Sequence, residues 1–74
     1  MLLEHDKQYS HSGGPIIFTI NVGVGSAELY IKKEANQGWV KCSDAVFTDN
    51  DVKSISMDIC LFKWKLTGDA TVAA

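Results

Sequence analysis

Residues Ile59-Cys60-Leu61-Phe62-Lys63-Trp64-Lys65-Leu66-Thr67, followed by Gly68-Asp69, decide the fold. Cys60, Phe62, Trp64 and Leu66 occupy every second position, with Lys63 and Lys65 between them. That is the period of a strand with one buried face; a helix would space its apolar residues three and four apart. Thr67-Gly68-Asp69 then supplies turn chemistry.

The same alternation recurs upstream. After Pro15, the residues Ile16, Phe18, Ile20 and Val22 fall on one face, and Gly23-Val24-Gly25 breaks the strand with residues that permit a tight turn. Ser26–Lys32 sets Ala27, Leu29 and Ile31 against Glu28, Tyr30 and Lys32. These two strands are expected to form a hairpin. Glu34–Gly38 turns the chain into a short strand, Trp39–Cys42, with Val40 and Cys42 on one face and Trp39 and Lys41 on the other. Ala45–Thr48 is a brief apolar stretch before the Asp49-Asn50-Asp51 turn. Val52–Asp58 alternates less cleanly around Ile55 and Met57, and Ala70–Ala74 closes the chain. No segment keeps a helical period over three turns. The fold class is all-β: a small antiparallel β-sandwich or barrel of six to seven short strands, residues 15–74. Residues 1–14 are polar and end in Ser12-Gly13-Gly14-Pro15, and read as an extended N-terminal arm.

Composition narrows the function. Seven lysines, no arginine and nine acidic residues give a net charge of −2, whereas nucleic-acid modules are usually basic and rich in arginine; no nucleic-acid partner is expected. The longest apolar stretch, Ile16-Ile17-Phe18, is too short to span a bilayer, and the N-terminus lacks the pattern of a secretory signal, so neither a membrane partner nor export is expected. In a chain this short a single core rarely supplies more than about 3–5 kcal/mol, which calls for a staple or for partner subunits. Cys42 and Cys60 read as reduced, buried small hydrophobes; if paired they would close an 18-residue interval worth about 3 kcal/mol.

Chemistry-bearing groups are sparse. His5 and His11 match no compact zinc spacing, and the Asp44, Asp49, Asn50, Asp51 group lacks the order of a calcium loop, so no metal is expected. Gly23-Val24-Gly25-Ser26 lacks the third glycine and the Lys of a phosphate loop, so no cofactor is expected. No nucleophile has a histidine near it in sequence, and no catalytic residue is assigned. Two groups remain for recognition. Ile59 and Leu61 begin the outward face of the strongest strand, where two large aliphatics want a cover, and Leu2, Leu3 and Tyr9 of the arm, from the same or a neighbouring chain, are expected to supply it. Tyr30, Trp39 and Lys41 share an exposed face if their strands pair, a combination suited to a sugar ring, a nucleobase or a protein groove. Lys63 and Lys65 point away from Trp64, so this strand does not interleave aromatics and cations for single-stranded nucleic acid.

The cadence Leu29-Tyr30-Ile31, Gly38-Trp39-Val40, Ala45-Val46-Phe47-Thr48-Asp49, Asp51-Val52-Lys53 and Lys65-Leu66-Thr67-Gly68 resembles the short β-domain structural proteins of tailed bacteriophage virions. The resemblance spans roughly residues 22–70 and departs from the family where Phe62-Lys63-Trp64 replaces the usual Tyr-Arg. It implies a non-enzymatic virion protein, of capsid decoration or head/tail accessory type, made in the host cytoplasm. It would act by contacts with other virion proteins and as a homo-oligomer, its arm reaching onto a neighbour. Deleting residues 1–14 is then expected to leave the domain folded and abolish assembly. The alternative is a soluble binding module for carbohydrate or a host protein through Tyr30, Trp39 and Lys41.

Overall fold

The computed structural model describes all 74 residues and contains eight strands and no helix. They are β1 (Leu2–Leu3), β2 (Tyr9–His11), β3 (Gly14–Asn21), β4 (Ser26–Lys32), β5 (Val40–Phe47), β6 (Asp51–Met57), β7 (Cys60–Thr67) and β8 (Thr71–Ala73). Two four-stranded antiparallel sheets pack as a sandwich: sheet A in the order β1-β8-β3-β6, sheet B in the order β2-β7-β4-β5.

Alternation in the sequence becomes the core directly. Phe18, Ile20 and Val22 from one sheet meet Ala27, Leu29, Phe62 and Trp64 from the other, each almost completely buried. Phe18 touches both Trp64, at 5.1 Å between ring centroids, and Phe62, at 6.0 Å, in edge-on geometries that suit the ring quadrupoles. The core is small, 13 buried residues of 74 and none of them polar or charged, in keeping with the thin margin of a chain this size. Cys42 and Cys60 are free, with β4 between their strands. Two strand spacings of about 4.8 Å exceed the roughly 7 Å that a disulfide allows between Cα atoms.

Three expectations are corrected. First, Pro15–Val22 and Ser26–Lys32 do not pair with each other. β3 lies in sheet A and β4 in sheet B, and the turn between them carries the chain across the core. Both strands have a fully apolar face to bury, and facing each other across the core buries both. Gly23 adopts φ 57° in this turn, and Gly25 lies against the Thr67 carbonyl with no room for a side chain.

Second, Trp39–Cys42 and Ala45–Thr48 are one strand. β5 is continuous, and its register against β4 shifts between Glu28 and Tyr30. A bulge near Ser43 and Asp44 lets both Cys42 and Ala45 face inward, which broke the alternation in the sequence.

Third, residues 1–14 are not an extended arm, and they raise the strand count to eight. Leu2 and Leu3 pair with Ala73 and Val72 of β8, and Tyr9, Ser10 and His11 pair with Phe62, Leu61 and Cys60 of β7. Leu3 enters the core, and the Tyr9 ring stacks on Phe62 at 5.6 Å. The N-terminal segment crosses from sheet A to sheet B through Glu4–Gln8. There Asp6 takes φ 58°, its N–H donates to the Trp64 carbonyl (2.8 Å), and its carboxylate pairs with Lys63 (2.7 Å). Unpaired strand edges are costly to leave open, and these residues cap one edge of each sheet.

Candidate interaction faces

Once the N-terminal segment has closed one side of the sandwich, three surfaces remain: the outer face of each sheet and the open side between the edge strands β5 and β6.

The outer face of sheet A carries no charge. Register aligns Leu2, Ala73, Thr19 and Val52 in a row across all four strands, and Asn21 with Thr71, Ile17 with Ser54 and Pro15 with Ser56 flank it. Leu2, Ile17 and Val52 are each about two-thirds exposed (67%, 64% and 65%). A sheet face turned to water normally alternates toward charged and polar side chains. Here every polar group is a hydroxyl or an amide.

The outer face of sheet B is its opposite in character. Tyr30 pairs with Lys41 on one side and with Lys63 on the other, so the binding-face residues anticipated from sequence do converge. Three more lysines join them. The Lys63 ammonium lies 4.8 Å from the Trp39 centroid and 5.9 Å from that of Tyr30; Lys32 covers Trp39 at 4.5 Å, and Lys65 covers Tyr30 at 5.2 Å. Lys63 is the pivot: its side chain is only 13% exposed, held between two rings and the Asp6 carboxylate. The hydrogen bond from Lys63 holds the Asp6 carboxyl below its ordinary value; desolvation opposes it, and the nearby charges of Lys63, Lys65 and His5 add to the lowering. Lys41 pairs loosely with Glu28 at 3.6 Å. Aromatic and basic groups are thus interleaved across strands, where the order along β7 alone showed Trp64 and the lysines on opposite faces. The signal was the outward parity of Tyr30, Lys32, Lys63 and Lys65; what the sequence did not show was that β4 pairs with β7.

Within the single chain, Leu2, Leu3 and Tyr9 do not cover Ile59 and Leu61. Tyr9 turns inward onto Phe62, Leu3 is in the core and Leu2 lies on sheet A, whereas Leu61 faces Ser10 in the ladder and is half-buried. Ile59 remains 72% exposed beside Gly13.

Between β5 and β6 runs a groove of about 290 Å³ floored by Leu29, Ile31, Cys42, Ala45, Ile55 and Met57, with Asp44 and Lys53 at its rim. A second hollow of about 310 Å³ adjoins it near Met57, Ile59 and Cys60. Burial pushes both thiols above their ordinary values, with further small contributions from Cys60 and Asp44 on Cys42 and from Asp58 on Cys60. A thiol so placed is a poor nucleophile. Neither histidine reaches the groove: His5 Nδ1 accepts from the Leu66 N–H (2.9 Å), and His11 Nε2 bonds the Gly14 carbonyl (2.8 Å). No three His, Cys, Asp or Glu side chains converge to hold a metal ion. Compared with known proteins, the chain matches no family model, no curated protein and no solved structure.

Proposed function

We propose that this chain is a non-enzymatic structural building block of a tailed-phage virion, a capsid decoration or head/tail accessory protein that works by contacts between protein surfaces. The observation that carries the reading is the uncharged outer face of sheet A. Apolar area is the main driving force of association, and a face free of charge offers no desolvation penalty for an ion left unpaired. A standard interface takes about 800 Å² per partner, a little under a fifth of the 4516 Å² surface of this chain. The resemblance of residues 22–70 to virion β-domains points the same way. With the N-terminal segment folded onto its own sandwich, sheet A replaces the arm as the contact surface.

Of the alternative, a binding module for carbohydrate or a host protein built on Tyr30, Trp39 and Lys41, the carbohydrate form is disfavoured by the ammonium groups resting on both rings. A sugar or base would have to displace Lys32 or Lys65 to stack there.

The test is the absolute mass of the purified chain by light scattering over a tenfold range of concentration, beside cosedimentation with tailed-phage particles. Self-association or particle binding that persists at about 1 M salt, and that Val52→Lys sharply weakens there, supports the reading. A chain that stays monomeric and does not sediment with particles overturns it.

A further inference from the structure

One face of the chain is locally basic. The outer face of sheet B gathers Lys32, Lys41, Lys63 and Lys65 against Glu28 and Asp6, a local net charge of +2 in a protein whose total is −2. Lys63 and Lys41 already have carboxylate partners on the same face. Lys32 and Lys65 have none; Lys32 donates only to the Ala35 carbonyl at 3.1 Å. Each of these two ammoniums rests over a ring, so little side-chain freedom remains to be lost when an anion binds. The ring faces are occupied, so recognition here is by charge rather than stacking. Two free cations and no arginine are a modest anchor for a long polyanion, but they suit a compact acidic element.

Such an element lies on the same molecule. Asp49 and Asp51 flank the turn from β5 to β6, and Asp44 sits at the β5 bulge; all three are exposed, and no lysine pairs with them. The turn is held in place by Asn50, whose Oδ1 accepts from the Val22 N–H at 2.9 Å. We propose that the lysine–aromatic face of one copy docks the acidic β5–β6 turn of a second copy, making a head-to-tail contact. The two surfaces are different, so the contact is heterologous and propagates into a ring or a filament. This inference rests on the building-block reading and adds a second contact of opposite physical character. The sheet A contact is apolar and insensitive to salt; this one weakens as screening shortens from about 10 Å at 0.1 M to about 3 Å at 1 M salt.

The experiment works in a Val52→Lys background, which disables the sheet A face and so separates the two contacts. Sedimentation is followed at about 0.1 M and 1 M salt for three chains: the background itself, the same with Lys65→Glu, and the same with Asp49→Lys. The background chain is expected to self-associate, with an association constant about tenfold lower at the higher salt. The Lys65→Glu and Asp49→Lys chains are each expected to be monomeric alone. Mixed, they should form a one-to-one complex that grows no further, since one intact face meets one intact turn. Absence of that complex, or association indifferent to salt, overturns the proposal. Monomers that instead bind oligothymidylate or heparin through Lys65 also overturn it and assign the face to an external polyanion. A sheet A face that proves inert leaves the mixing result equally readable.

Discussion

Phe18 of sheet A and Trp64 of sheet B meet edge to face at 5.1 Å, and this pair ties the two sheets together at the centre of the core. Removing either ring opens a cavity that eleven other buried residues cannot refill. Phe18→Ala should cost about 3–5 kcal/mol, comparable to the whole margin of a domain this small. Loss of amide dispersion in a two-dimensional NMR spectrum at 25 °C is the expected readout.

Trp64 carries a further peculiarity. Its indole Nε1 is buried without a hydrogen-bond partner, which costs about 1–3 kcal/mol. Trp64→Phe removes that donor while giving up part of the packing, so the two effects oppose each other. The expected change in unfolding free energy is within about 1.5 kcal/mol, far milder than Trp64→Ala. A urea titration of the three chains gives the comparison.

The N-terminal segment is part of the fold. Deleting residues 1–11 removes Leu3 from the core and the Tyr9 ring from Phe62, and it exposes the edges of β7 and β8. The truncated chain should be unfolded or aggregated, against the expectation that the domain stays folded without residues 1–14. A well-dispersed NMR spectrum of that chain would contradict the docking described here.

Asp6 gives this docking a pH dependence. Its folded pKa lies below the ordinary 3.8 because of Lys63. A carboxylate lowered on folding contributes stability above its unfolded pKa and loses it as pH falls through the folded value. Asn tolerates the positive φ of this position, so Asp6→Asn removes the charge without straining the crossing. Wild type should be more stable than Asp6→Asn at neutral pH, and the difference should shrink from about pH 4 downward. Denaturant unfolding across that range measures it.

Two glycines make a matched pair. A methyl on Gly25 would run into the Thr67 carbonyl, whereas one on Gly38 meets nothing within 4 Å. Gly25→Ala should cost at least about 1–3 kcal/mol, because backbone must move. Gly38→Ala should be neutral or stabilise by up to about 1 kcal/mol through the unfolded chain. Midpoints of thermal unfolding rank the two.

Sequence carried the sandwich where strands are long and alternate cleanly: β3, β4 and β7 are bounded almost to the residue, and the inward set Phe18, Ile20, Leu29, Phe62 and Trp64 follows from parity. It failed where strands are too short to show a period. Leu2-Leu3 offers two residues, and Tyr9-Ser10-His11 is half polar and precedes two glycines. Both owe their pairing to partners on β8 and β7 far along the chain, which no local pattern encodes. Of the sheet B face, Tyr30, Trp39 and Lys41 were legible from the β4–β5 turn. Lys63 and Lys65 were not, because they join through the β4–β7 ladder, whose register depends on tertiary burial.

The pairing of β1 with β8 also sets how the molecule must fold. Met1 and Ala74 exchange hydrogen bonds at 2.9 Å although 73 positions separate them, and β8 in turn lies between β1 and β3 in sheet A. Such a sheet has high contact order: its loop-closure entropy is lost before the distant contacts form, which places folding toward milliseconds to seconds. During synthesis the β3 edge near Thr19–Asn21 stays unpaired until residues 71–73 have left the ribosome. Nascent chains crowded on one message therefore present open β edges to one another.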